Sequence, residues 1–130
     1  MEIKNIDLFI DYFEKVRKRT LRVAKYIPKD KIEWTYKEGK FTFGDLLRHL
    51  ATIERFMYAE NAQFKPSVYP GCDESLASGY DNVISYMDKC HKESIEIFSK
   101  LSASDLLKKC TTPANIDITL WKWLRLMTEH

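Results

Sequence analysis

Apolar residues recur at three- and four-residue steps along the first part of the chain, from Asn5 to Ile27. This spacing is typical of a helix that buries one face. Basic residues fall on the opposite face, and Pro28 ends the pattern. The segment predicts a first amphipathic helix, whose buried face is formed by Ile6, Phe9, Ile10, Phe13, Val16, Thr20, Val23, Ala24 and Ile27.

A second helix is predicted to start at Thr42, because threonine suits an N-cap and Asp45 stands where a capping box has its acid. This helix fades near Ala62, and its predicted buried stripe is Leu46, Leu50, Ile53 and Met57. A third helix is predicted from about Tyr80 to Leu101, with Ile84, Met87, Cys90, His91, Ile95, Phe98 and Leu101 inward.

A short turn follows the third helix, where Ser102 or Ser104 could act as a cap. A fourth helix is predicted to start near Asp117 or Thr119 and to continue to His130. Its inward residues are Leu120, Trp123, Leu124 and Met127.

Four helices that each carry one apolar face are most economically buried as a bundle. We therefore predict an all-α fold, an antiparallel four-helix bundle, as a single domain over residues 1–130. The first connection (Pro28 to Phe41) and the second (Phe64 to Gly79) are long for a bundle. Only four glycines and four prolines occur, which disfavours a fold of many short strands.

Composition narrows the class of protein further. Hydrophobic residues make up 45% and charged residues 31%, and the net charge is only +2, which argues against a nucleic-acid partner. No apolar run is long enough to cross a membrane. Cys72, Cys90 and Cys110 form no CxxC pair, which favours a reducing compartment, and no signal peptide is evident. We expect a cytoplasmic protein.

The three histidines, His49, His91 and His130, can all face the interior of such a bundle. Neutral imidazole is a common metal ligand, and facing helices of a bundle often supply such ligands. The alternative is that each is a core histidine whose ring nitrogens are hydrogen-bonded. The histidines alone do not decide between these two interpretations.

Two segments carry a resemblance to a known family. The stretch FTFGDLLRHLATIERFMYAE resembles the second helix of the DinB-like (DinB/YfiT-like) superfamily of metalloenzyme-type four-helix bundles, and TLWKWLRLMTEH resembles the start of its last helix. The order of the helices and the first loop with Trp34 are also similar, so the likeness covers nearly the whole chain. The resemblance implies that His49 and His130 are ligands of a divalent metal ion.

The family's metal site uses three histidines, and the third would fall four residues after His130, beyond the last residue of this sequence. Two histidines alone should bind a metal weakly or not at all. The candidate replacements are His91, a carboxylate such as Glu54 or Asp88, the terminal carboxylate of His130, or a symmetry-related chain. The metal could be zinc, nickel, iron or manganese, since histidine suits all four.

Some members of this superfamily transfer groups with low-molecular-weight thiols such as bacillithiol, mycothiol or glutathione. The resemblance therefore implies a metal-dependent thiol S-transferase or a hydrolase-like enzyme. The alternative is a non-catalytic dimerising or sensing bundle with an incomplete metal site. DNA binding, which the damage-inducible family name suggests, is disfavoured by the near-neutral charge.

The predicted fourth helix is short beside the first. It has about 14 residues and a length of roughly 21 Å, against roughly 34 Å for about 23 residues of the first helix. A short helix leaves a groove over its longer neighbours, and an exposed apolar groove is typical of a partner site. We expect a homodimer, or a chain that is abbreviated at its C-terminus relative to the family.

Overall fold

The computed structural model describes residues 2–130 as a mainly α-helical chain. Its helices are α1 (Ile6–Ala24), α2 (Phe43–Ile53), α3 (Ala59–Ala62), α4 (Tyr80–Ser99), α5 (Ala103–Leu107) and α6 (Leu120–Glu129). A π-helical turn, Glu54–Tyr58, joins α2 to α3, so that residues 43–62 form one continuous helical run. A 3₁₀ turn, Lys29–Lys31, lies in the first connection. The mainly helical prediction is confirmed.

The helix starts follow local sequence chemistry. The Asn5 side chain accepts hydrogen bonds from the backbone N–H groups of Asp7 and Leu8 at the start of α1. Thr42 and Asp45 form the predicted capping box at α2, with both hydrogen bonds present. Ser102 caps α5 in the same way. Such caps satisfy backbone donors that the first helical turn leaves without partners.

The prediction of an all-α chain missed a small hairpin. Strands β1 (Lys109–Thr111) and β2 (Asp117–Thr119) pair antiparallel, with Cys110 opposite Ile118. The fourth helix therefore begins at Leu120, and the residues proposed as its start form a strand instead. The local sequence favours this outcome, because β-branched residues suit strands and Asn115 adopts a positive φ of 60° in the connecting turn.

Two buried clusters make up the core. One gathers α1, the C-terminal half of α4, α5 and α6 around Phe9, Phe13, Phe98 and Leu124. The other joins the end of α1 to α2 and the start of α4 around Ala24, Leu47, Ala51, Val83 and Met87. Among the described residues, no helix combines the length and the apolar character that crossing a membrane requires.

The predicted buried stripe of the second helix is only partly right, since Ile53 and Met57 pack against the core while Leu46 does not. Leu46 is 48% exposed, whereas Leu47 and Ala51 are buried. Val23 on α1, also predicted inward, is 65% exposed. The reason is that α2 packs chiefly against α4 and less closely against α1, which leaves an apolar trough open between α1 and α2.

Candidate metal site

The structure brings His49 and His130 together although they lie 81 positions apart in the sequence. Their Nε2 atoms are 3.1 Å apart. Two imidazoles on one metal ion, with bonds of about 2.0–2.1 Å at angles of about 90° to 109°, would place these atoms about 2.8–3.4 Å apart. The pair therefore fits two ligands of a common ion. The same distance also suits one N–H···N hydrogen bond between the rings.

A second group orients the ring of His49. Its Nδ1 lies 2.8 Å from the hydroxyl oxygen of Tyr69, a residue of the second long connection. With its proton on Nδ1, His49 donates to Tyr69 and leaves the lone pair of Nε2 facing His130. Outer partners of this kind fix the tautomer of metal-ligating histidines. The ring of Phe41, from the first connection, lies 5.9 Å from His49.

The electrostatics of His49 favour its neutral form. Burial lowers the pKa of His49, and the neighbouring His130 lowers it further. A neutral imidazole is the form that binds a metal, because the protonated ring has no free lone pair. His49 is therefore ready to act as a ligand near neutral pH.

His130 is positioned by the end of α6 and by aromatic packing. Its backbone N–H donates to the carbonyl of Leu126 at 3.0 Å, which continues the helical pattern. The ring of Tyr58 lies 6.5 Å from that of His130 and packs against Trp123 at 4.5 Å. Trp123 in turn donates from Nε1 to the side-chain oxygen of Asn61 at 3.2 Å. The π-helical turn and α6 thus hold this side of the site together.

Arg48, the residue before His49, has a structural role that was not predicted from the sequence. Its side chain is fully buried and donates to Glu33 at 2.6 and 3.1 Å and to Asp45 at 2.7 Å. It also donates to the backbone carbonyls of Cys72 (2.8 Å) and Ala77 (3.0 Å). One guanidinium therefore ties both long connections to the start of α2. The only hint of this role in the sequence is that Arg48, a basic residue, stands beside the predicted apolar stripe of the second helix.

A cavity of about 300 Å³ lies beside His130, between α1, α2 and the end of α6. Arg17 and Glu54 line it and form a close, largely buried ion pair. Burial raises the pKa of Glu54 to about 7, although the positive charge of Arg17 opposes that rise. The cavity gives a small molecule room to approach His130.

The structure gives His91 and Asp88, two of the other suggested ligands, different partners. His91 is buried against Phe13, and its Nε2 lies 2.7 Å from the carboxylate of Glu14 on α1. Asp88 is exposed and pairs with Lys92. Within residues 2–130, no group of three or more histidine, cysteine, aspartate or glutamate side chains is arranged to hold a metal ion.

His91 lies in the core with only part of the expected bonding, because Nε2 pairs with Glu14 while the buried Nδ1 has no hydrogen-bond partner among the described residues. Burial and the nearby Arg17 lower the pKa of His91, outweighing the opposite effect of Glu14 and Asp88. Glu54, the other carboxylate proposed as a ligand, is held by Arg17. Its place in the cavity makes it a neighbour of the site rather than a member of the histidine pair.

Comparisons with known proteins identify the family of the chain. A search of curated proteins finds no match to the chain. The family model of the DinB superfamily matches residues 12–130, which include both His49 and His130. The chain belongs to the DinB superfamily.

Proposed function

We propose that His49 and His130 are two ligands of a divalent metal ion, and that the helices around them form an antiparallel four-helix bundle built to hold it. The observation that supports this is the 3.1 Å separation of the two Nε2 atoms, with Tyr69 orienting one ring. Zinc, nickel, iron and manganese all accept histidine ligands. Further ligands would come from solvent, from a bound substrate or from another protein group.

The reaction that suits this site best is transfer of a group to or from a low-molecular-weight thiol. A bound divalent cation would favour the deprotonated thiol, which is the reactive nucleophile. The protein's own part is to hold both imidazoles on helical backbone, which fixes ligands more rigidly than a loop does. Tyr69 keeps the His49 ring in place, and the cavity beside His130 admits the second substrate.

The first test is metal affinity in competition with a chromophoric chelator, for Zn²⁺ and Ni²⁺ separately. We expect His49→Ala and His130→Ala each to weaken binding by roughly a hundredfold or more. Tyr69→Phe should weaken metal binding by roughly tenfold, because loss of a residue that orients a ligand typically costs about 10- to 100-fold in metal affinity. His91→Gln is the matched control, and its affinity should stay within about threefold of the wild type.

The proposal fails if His49→Ala binds Zn²⁺ and Ni²⁺ as well as the wild type does. In that case the two rings are joined by a hydrogen bond and do not form a metal site. Loss of binding only in His91→Gln would move the site to α4. The helical content of each variant, measured by circular dichroism, confirms that the chain is folded.

A second candidate function is a non-catalytic bundle that dimerises or senses a ligand. It is favoured by the absence of a three-ligand group among residues 2–130. Two measurements separate the two functions. One is sedimentation velocity with and without Zn²⁺, and the other is an assay of the conjugation of glutathione, through its sulfur, to an electrophile. A metal-linked change from monomer to homodimer without any turnover supports the second candidate, and metal-dependent turnover supports the first.

A further inference from the structure

We propose that this site takes an amphipathic anion, a small molecule whose apolar body lies in the trough between α1 and α2 and whose negative head lies at Arg19. This inference rests on the proposed function, because it names the class of substrate that would reach the histidine pair. It is carried by three observations, which are the open apolar trough, its continuity with the cavity beside His130, and the pattern of charge where the two meet.

The trough is an open surface lined mainly by apolar side chains. It has a volume of about 450 Å³ and is lined by Val23 and Ile27 of α1 and by Phe43, Leu46 and Leu50 of α2. Val23 and Leu46 are 65% and 48% exposed, so apolar side chains face the open trough instead of the core. Pockets of this size and character are typical of small-molecule sites.

The trough leads to the candidate metal site. Arg19, Thr20 and Leu50 line both the trough and the cavity of about 300 Å³ that contains His130 and Glu54. A ligand whose apolar part lies on Leu46 and Val23 would therefore extend its polar end toward the histidine pair. A ligand that only covered the trough would leave the cavity unfilled.

The charges at the junction favour an anion over a cation. Arg19 is exposed and forms no ion pair within residues 2–130, and Lys15, Lys18 and Arg22 lie on the same side of α1. The two acidic side chains that line the cavity each have an arginine nearby, because Glu54 pairs with Arg17 and Glu129 lies 3.6 Å from Arg125. An anionic head would meet a free guanidinium, which binds carboxylates well.

The test compares three ligands with the same ten-carbon chain, with decanoate and the cation below their micelle concentrations and decanol below its solubility limit. Decanoate, decanol and decyltrimethylammonium are titrated into the metal-free full chain by isothermal calorimetry. We expect decanoate to bind at least roughly fivefold more tightly than decanol, and the cation to bind most weakly, because a partly exposed charge pair contributes up to about 1 kcal/mol. Arg19→Gln should remove most of the difference in affinity between decanoate and decanol, whereas Lys89→Gln, which removes an exposed cation of α4 outside the trough, should behave as the wild type.

A second pair of variants tests the trough itself. Leu46→Asp should weaken decanoate binding by roughly tenfold or more, since it places a charge on apolar contact surface. Leu107→Asp is the control, because Leu107 is also an exposed leucine (67%, against 48% for Leu46) and lies on α5, outside the trough. Its affinity for decanoate should stay within about twofold.

Failure of this inference can be told apart from failure of the metal site. If decanoate does not bind the wild type, or binds Leu46→Asp unchanged, the amphiphile site is refuted whatever the metal titration shows. If decanoate binds both the wild type and His49→Ala while neither binds metal, the amphiphile site stands without the metal site. If the wild type is a dimer that Leu46→Asp turns into a monomer, and neither binds decanoate, the trough is an interface between copies of the chain and the inference is wrong.

Discussion

Replacing Arg48 by methionine removes the largest polar network of the structure while keeping a side chain of similar length. Arg48 is fully buried and its guanidinium bonds two carboxylates, Glu33 and Asp45, and two backbone carbonyls, those of Cys72 and Ala77. The Arg48→Met variant would leave all four acceptor groups without this donor. It would also release both long connections from the start of α2.

The expected cost follows from the burial of each partner. Removing one member of a buried ion pair commonly costs about 3–5 kcal/mol, because a charge is left without compensation. The side chains of Glu33 and Asp45 are 29% and 21% exposed, so water can partly replace the guanidinium. We therefore expect the low end, a loss of about 3 kcal/mol in the free energy of unfolding. For a chain of this size that lowers Tm by roughly 10 °C.

Urea unfolding followed by circular dichroism at pH 7 measures this change. Arg22→Met is the matched control, since Arg22 is exposed and its replacement should change the free energy of unfolding by less than about 0.5 kcal/mol. A loss below about 1 kcal/mol in Arg48→Met would refute the reasoning. It would mean that water replaces the hydrogen bonds of Arg48 and that these bonds do not hold the connections in place.

The pH dependence of the stability difference between the wild type and Arg48→Met gives a second check. Partial burial raises the pKa of Asp45, but the hydrogen bonds from Thr42 and Arg48 outweigh it and hold that pKa below its ordinary value. A carboxylate with a lowered pKa stabilises the fold above the unfolded pKa of about 4, and loses that effect as the pH falls through the folded pKa. The difference between wild type and Arg48→Met should therefore shrink below pH 4. A constant difference down to pH 2 would contradict the role given to Asp45.

Three further predictions concern other parts of the chain. Because burial raises the pKa of Glu54 to about 7, the folded state holds a proton that the unfolded state releases, so stability should fall as the pH rises from about 4 through 7. Urea unfolding should show this slope in the wild type and a smaller one in Glu54→Gln; equal slopes would contradict it. Cys90 and Cys110 are buried with raised pKa values, so Ellman's reagent should modify only Cys72 quickly, and fast reaction of a second thiol would show otherwise. Ser102→Ala removes the cap of α5 and should cost about 1 kcal/mol in urea unfolding, against no measurable change in Ser99→Ala.

Much of the secondary structure could be predicted from the sequence because its causes are local. The apolar spacing of α1 and α4 and the capping residues Asn5, Thr42 and Ser102 depend on neighbours within one or two turns. The segment around His49 also carried enough of the DinB pattern to identify the family, which the match over residues 12–130 confirms. The His49 and His130 roles as metal ligands stay predictions, with a geometry that suits them.

The rest was decided by tertiary structure, because it depends on which faces meet. Periodicity defines the apolar face of α2 only approximately, and packing against α4 turns Leu47 inward and leaves Leu46 in the trough. The partners of Arg48 come from two connections whose paths no spacing predicts. Sequence alone determined that this chain is mainly helical and that His49 lies in a segment resembling the second helix of the DinB superfamily. Only the fold could place that histidine 3.1 Å from His130, since the approach of residues 81 positions apart is set by the packing of whole helices.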